Sequence, residues 1–192
     1  MMLLPFCLLA QKDEQARRVL DRTAATLQQA GGIRATFEGT HPGTLLMKGE
    51  KFHLDCAGIR SWFDGQTQWS YVAANEEVTV TLPTPEELQG INPYALIRSY
   101  RDGWNYRYKG KVTRNGQTGH EVQLIPEQKQ TLSAVTLFVS ESYLPIYIKV
   151  EQGNGSVSEI KVTSCRTNQP LDDRTFRFDK RQYPDAEIID MR

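Results

Sequence analysis

The sequence predicts a mainly β chain: one long antiparallel sheet, with a helix at its start and a helical insertion midway. Three observations lead there. Only residues 12–30 hold a sustained helical period. From Ile33 onward, short runs of alternating apolar and polar residues follow one another, and short links rich in Gly, Asn, Asp and Pro separate them. Links this short force neighbouring strands to run antiparallel and mostly up-and-down. At 192 residues the chain has the length of one domain with one core.

The first element is not part of that sheet. Residues 1–10, MMLLPFCLLA, form an apolar run that ends before the first charge at Lys12. This reads as the core and cleavage site of an export signal cut after Ala10, with a mature domain over 11–192. Its basic leader is missing, which points to a truncated start. A membrane span needs ~20 apolar residues, and this run is too short. Leu-Pro-Phe-Cys is a poor lipid-attachment motif, because the residues before a lipidated cysteine should be small. A frayed apolar terminus is the plainer alternative. Export would leave Cys56 and Cys165 in an oxidising compartment, either paired or as two separate buried thiols.

In the first helix, Ala16, Val19, Leu20, Thr23 and Leu27 make one apolar stripe, and Gly31-Gly32 ends it. Eleven strand candidates follow: IRATFEG, GTLLMKG, KFHLDC, IRSWFD, TQWSYV, EEVTVTL, NYRYKGKVTR, HEVQLIP, SAVTLFVS, PIYIKVEQ and SVSEIKVTS, with a possible twelfth after FRFD. Asp64-Gly65, Asn115-Gly116 and Asn154-Gly155 are hairpin signals. Between Pro83 and Gly103 the pattern turns helical. TPEELQG makes one turn, and NPYALIRSY makes a second with Asn92 as cap and Pro93 as first residue.

Alternation assigns faces. Val78, Val80 and Leu82 share one, as do Ile146, Ile148 and Val150; SAVTLFVS is apolar on both. A two-residue turn at Asp64-Gly65 pairs Phe63 with Gln66 and Trp62 with Thr67. Trp62, Trp69 and Tyr71 then form an aromatic face opposite Gln66, Gln68 and Ser70. Periodicity alone favours core beneath the helices for these rings; the wall of a ligand cavity is the second reading.

Composition excludes several functions. Twenty-three basic and twenty-three acidic residues leave no net charge to neutralise a nucleic-acid backbone. His41, His53 and His120 are scattered and make no metal-binding motif with Cys, Asp or Glu, and no nucleophile elbow, phosphate loop or C-x-x-C occurs. Glu76 and Glu77 face opposite ways on a strand, and Glu86 and Glu87 suit a helix start. Neither an enzyme nor a cofactor is expected.

Four motifs in order resemble the periplasmic outer-membrane lipoprotein carriers of the LolA type, especially Bacteroidetes-like members. They are D-G-Q-T-Q-W-S-Y at 64–71, N-P-Y-A-L-I at 92–97, V-Q-L-I-P at 122–126 and F-R-F-D at 176–179, the last resembling a late F-x-F strand. The resemblance runs from about Gln11 to the end of the chain. It implies an unclosed antiparallel β-barrel of about eleven strands, whose concave apolar side is lidded by helices. It implies a monomeric periplasmic carrier that accepts acylated lipoproteins from an inner-membrane ABC transporter and delivers them to the outer membrane. The alternative is a non-shuttling envelope protein of the same half-barrel fold that binds another lipid or hydrophobic ligand. The resemblance turns the aromatic hairpin into cavity wall. The expected lining is Phe37, Met47, Phe52, Leu54, Trp69, Tyr71, Val78, Val80, Leu137, Ile146, Ile148 and Val150, with Leu96 and Ile97 on the lid.

One departure stands out. In K-G-E-K-F-H-L, Lys48 occupies the position of an arginine that holds the lid shut in proteobacterial members. Lysine lacks the planar fork that grips several carbonyls at once, so Lys48 is either a gate or a plain surface residue. Lys48, Glu50 and Lys51 otherwise look like solvated hairpin charges. Three long acyl chains would contribute beyond roughly 20 kcal/mol at ~0.8 kcal/mol per CH₂. A carrier that must release such cargo needs an incompletely filled groove under a movable lid.

Overall fold

The computed structural model describes residues 13–91, 95–97, 100–114 and 116–192. The expected export signal at 1–10, the cap at Asn92-Pro93 and Asn115 of one hairpin turn lie outside these residues.

Helix α1 (Glu14–Gln29) buries Ala16, Val19, Leu20, Thr23 and Leu27, the stripe read from the sequence. Asp13 caps it: Oδ1 accepts from the amides of Gln15 (2.8 Å) and Ala16 (3.2 Å), while Oδ2 accepts from the Tyr108 amide (3.0 Å). One carboxylate thus starts the helix and ties it to the sheet. Burial works against its ionisation, but the three N–H donors outweigh that and hold it below the usual carboxylate range.

The strands are β1 (Gly32–Gly39), β2 (Gly43–Lys48), β3 (Lys51–Cys56), β4 (Ile59–Phe63), β5 (Gln68–Val72), β6 (Glu77–Thr81), β7 (Trp104–Arg114), β8 (Gln117–Pro126), β9 (Leu132–Ser140), β10 (Pro145–Gln152), β11 (Val157–Arg166) and β12 (Glu187–Asp190). They form a single sheet in the order β12-β6-β5-β4-β3-β2-β1-β11-β10-β9-β8-β7. Two meanders, β1–β6 and β7–β11, join where β1 pairs with β11. The edges β12 and β7 do not meet, so the sheet curls without closing. Between the meanders sits the helical insertion, with α2 (Pro85–Ile91) followed by helical residues 95–97. Thr84 and Glu87 cap α2 reciprocally: the Thr84 amide donates to Glu87 Oε2 at 2.7 Å and the Glu87 amide to Thr84 Oγ1 at 3.3 Å.

Three local expectations change. β12 pairs parallel with β6, because the chain reaches this edge after a long return across the outer face rather than through a hairpin. The β4–β5 turn is a four-residue loop, with Phe63 opposite Gln68 and Trp62 opposite Trp69. Asp64 causes this by accepting the Gln66 and Thr67 amides on its side chain, closing an Asx turn. F-R-F-D is not a strand: Asp173–Phe176 form a 3-10 turn and Lys180–Gln182 another.

Residues paired across a sheet share a face, so register fixes which side chains look inward toward α1. The inward rows include Met47, Phe52 and Phe63, then Leu45, Leu54, Ser61, Ser70 and Thr79. The outward row runs His53, Trp62, Trp69 and Val80. Apolar character therefore changes sides at β4. From β7 round to β3 it faces inward and forms the main core with α1 and the insertion. On β4–β6 it faces outward, where Val78 and Val80 pack with Trp69, Tyr71, Phe178, Tyr183 and Ala186.

The C-terminal segment covers that outward patch. Its rings meet Trp62 edge-on, Phe178 and Tyr183 each at 5.6 Å, and Phe176 is fully buried. Polar ties fasten it: Lys51 Nζ to Asp173 at 2.8 Å, Arg177 to Asp64 at 3.1 Å, and Arg60 to the Tyr183 hydroxyl at 3.0 Å. Lys51, expected to be a solvated hairpin charge, is one of the anchors.

Candidate functional site

The inward side of the sheet is not filled. α1 packs along β7 and β8, leaving a cavity of about 640 Å³ over β1–β3 and β9–β11, roofed by Leu96 and Ile97. Small-molecule sites usually span ~300–1,000 Å³, so this space is ligand-sized. Its wall is built by alternation: Ile33, Ala35 and Phe37 from β1, Leu45 and Met47 from β2, and Leu54 and Cys56 from β3. On the other flank β9 adds Val135, β10 adds Ile148 and Val150, and β11 adds Ile160, Val162 and Cys165. Gly43 makes room for the Phe37 ring, since a Cβ there would lie 2.7 Å from its Cζ.

One end of the cavity is apolar, lined by Leu27, Ile33 and Met47. The other end meets the β1–β2 turn, the β8–β9 loop, the β10–β11 hairpin and α2, which contribute Thr40, His41, Gln130, Thr131, Gln152, Glu86, Glu87 and Gln89.

The root of the insertion is latched to α1. Tyr100, 2 % exposed, donates its hydroxyl to Asp21 Oδ1 at 2.6 Å, and Arg101 reaches the same oxygen at 2.5 Å. Burial opposes ionisation of Asp21, but these two donors and the Arg101 charge hold its carboxyl below the usual range. Burial and the Asp21 carboxylate push the Tyr100 phenol upward, so it stays a donor.

Cys56 and Cys165 are free thiols. Both face the cavity, but β2 and β1 lie between their strands. Three strand spacings make roughly 14 Å, about twice the reach of a disulfide. The open question is thereby answered in favour of separate thiols, and burial raises the pKa of each.

Of the residues assigned to the lining from sequence, Phe37, Met47, Leu54, Ile148 and Val150 lie on the cavity wall, as do Leu96 and Ile97 of the expected lid. Phe52 and Leu137 face the same side but are covered by neighbouring core side chains. Ile146 is displaced by a β-bulge between Pro145 and Tyr147, which takes it out of step with Ile148. Trp69, Tyr71, Val78 and Val80 are corrected outright: they face outward, under the C-terminal segment. The two-residue Ala57-Gly58 turn decides this. Both residues have positive φ (55° and 77°), so Cys56 pairs with Ile59 and Leu54 with Ser61. Serines and glutamine then continue the inward row, and the aromatics take the other side. Lys48 donates to the Leu171 carbonyl at 2.9 Å, a tie to the C-terminal segment rather than to the lid.

Sequence reasoning missed Ile33, Ala35, Leu45, Val135, Ile160, Val162 and Cys165. The signal was present for the first four, which share alternation with Phe37, Met47 and Leu137. For β11 a bulge between Val162 and Cys165 breaks the period.

Over residues 6–154 the chain matches the family described as outer membrane lipoprotein carrier protein LolA. No curated protein matches it. Among solved structures, it is similar to an uncharacterized conserved protein from Thermus thermophilus at 14% identity, covering 92% of this chain and 99% of that one, with a TM-score of 0.66. It also resembles a DUF1329 family protein from Desulfovibrio piger (10% identity, 87% and 98% coverage, TM-score 0.52). A third is the Mycobacterium tuberculosis lipoprotein LppX (10% identity, 83% and 98% coverage, TM-score 0.51). Identities this low establish a shared fold and nothing narrower.

Proposed function

The chain belongs to the LolA outer membrane lipoprotein carrier family, and from that premise we propose that its cavity holds the acyl chains of lipoproteins in transit across the periplasm. Members of the family are carriers or binding proteins rather than enzymes, and the fold suits lipid or lipoprotein binding. The observation that carries the narrower reading is the unfilled cavity of about 640 Å³ with aliphatic walls on two flanks and a roof of Leu96 and Ile97. Left to water, this apolar surface stays unburied, and an apolar occupant would cover it. A chain of ~14 CH₂ groups offers a gross gain of about 11 kcal/mol there. The costs of ordering a flexible chain reduce that gain to a reversible affinity.

In this reading the wall strands bind the hydrocarbon and the helical insertion excludes water from it. The Asp21–Tyr100–Arg101 latch keeps the C-terminal root of the insertion fixed, so opening takes place at α2. An inner-membrane ABC transporter would load the protein, and an outer-membrane acceptor would unload it. The proposal covers the mature domain, 11–192, acting as a monomer.

The test is twofold. Protein isolated from its native envelope is subjected to intact mass spectrometry, and the host is depleted of it. Co-purifying acylated polypeptides and accumulation of lipoproteins at the inner membrane are the expected results. A free lipid as sole occupant, with lipoprotein distribution unchanged, contradicts the shuttle and favours a lipid-binding envelope protein.

A further inference from the structure

We infer that the cavity selects acyl ligands with an uncharged, hydrogen-bonding head and discriminates against anionic heads such as a free carboxylate. The inference rests on the acyl-binding reading above and adds the orientation of the ligand and the chemistry of its polar end.

Orientation follows from the two ends of the cavity. Leu27, Ile33 and Met47 line one end and offer no polar side chain to a head group. Gln89, Gln130, Gln152, Thr40 and Thr131 gather at the other, because the β1–β2, β8–β9 and β10–β11 connections emerge on the same side of adjacent strands. A chain therefore enters tail-first and leaves its head among these amides and hydroxyls.

Charge then decides which heads are accepted. Among the described residues, the wall contains no lysine or arginine. Lys129, next to Gln130 in the chain, is exposed and outside it. Two carboxylates, Glu86 and Glu87, sit at the mouth, and Glu87 is already engaged with Thr84. Glu159 also reaches the rim, but its side chain accepts a hydrogen bond from Tyr147 on the outer face. His41 is the one basic side chain among the described residues at this end, so an anionic head placed here meets like charge and gives up water without gaining a permanent cation. Ester, amide and hydroxyl groups pair with glutamine and threonine at little cost, since these side chains both donate and accept.

The experiment is competition for a neutral fluorescent naphthylamine probe by monolauroylglycerol and by laurate, both below their micelle concentrations, at low and high salt. The glyceride is expected to displace the probe about tenfold more strongly than laurate at low salt, and the gap should narrow as salt screens the mouth. Glu86→Gln should narrow it further, and Glu86→Lys should bring laurate level with the glyceride. Glu86 makes no part of the α2 cap, so these variants keep the fold. Equal displacement by both ligands, indifferent to Glu86→Lys, overturns the head-group inference and leaves the acyl cavity standing. Failure of both ligands to displace the probe overturns the acyl cavity itself.

Discussion

The two halves of the sheet use the same alternation for opposite ends. On β9–β11 and β1–β3 the apolar rows face inward and leave a cavity; on β4–β6 they face outward and are sealed by the chain's own C-terminus. The inward row on the second half is polar and self-satisfied, with Gln68 donating to the Ser70 hydroxyl at 3.0 Å and Ser61 within 3.2 Å of it. One half keeps its greasy surface available; the other spends it on stability. The comparison teaches that a stripe of large aromatics does not mark the binding wall. The wall is built mostly from aliphatic residues, with Phe37 among them, that do not fill the space they enclose.

The largest expected contrast comes from one substitution in each half. Ile148→Glu on the cavity wall should reduce binding of an acyl probe by more than about 100-fold, because an unpaired charge has no partner there. Trp62→Ala on the outer face should instead lower stability by about 3–5 kcal/mol, with probe affinity within about twofold of the parent once the protein is folded. Denaturation curves and probe titrations on both variants separate the two. If Trp62→Ala abolishes binding in a folded protein, the division between halves fails.

A smaller effect is expected at the latch, where Tyr100→Phe removes a buried hydrogen bond and should cost about 1–2 kcal/mol. The pH dependence has a definite sign. The folded pKa of Asp21 lies below its ordinary value, so its contribution is complete above that value and is lost as pH falls through the lowered one. Thermal melts of the parent below pH 4 should therefore lose stability that Tyr100→Phe has already lost in part.

Smaller still is the turn that sets the register between the halves. Ala57 holds φ of 55° with nothing to stabilise that conformation in its side chain. Ala57→Asn should raise stability by about 1 kcal/mol in chemical denaturation, since asparagine tolerates this region. A loss of stability would mean that the turn is not as described. At the bottom of the scale, a reductant should leave the melting temperature unchanged, because Cys56 and Cys165 are not joined.

Most of the architecture was legible in the chain because each local rule acted alone. The α1 stripe, the strand runs and the insertion follow from periods and turn residues. Faces were harder, since they need register carried from strand to strand, and one miscounted turn or unseen bulge inverts everything beyond it. Phe37, Met47 and Leu54 reach the cavity wall as the alternation suggests, because they sit on β1, β2 and β3, at most two pairings from the strand that follows α1 in the chain. Alternation misplaces Trp69, Tyr71, Val78 and Val80, because nothing local says that the C-terminus returns to cover them. In the sequence that answer lies in the two-residue length of the Ala57-Gly58 turn, which sets the register of β4 on β3.

The two native thiols allow the most direct test. Cys56 and Cys165 lie on the proposed binding wall, so an acylated lipopeptide should shield both from a small alkylating reagent. Peptide mass spectrometry reads each rate separately, with and without the lipopeptide. Marked slowing at both positions is the predicted result. Unchanged rates at saturating lipopeptide would place the ligand somewhere else and contradict the account.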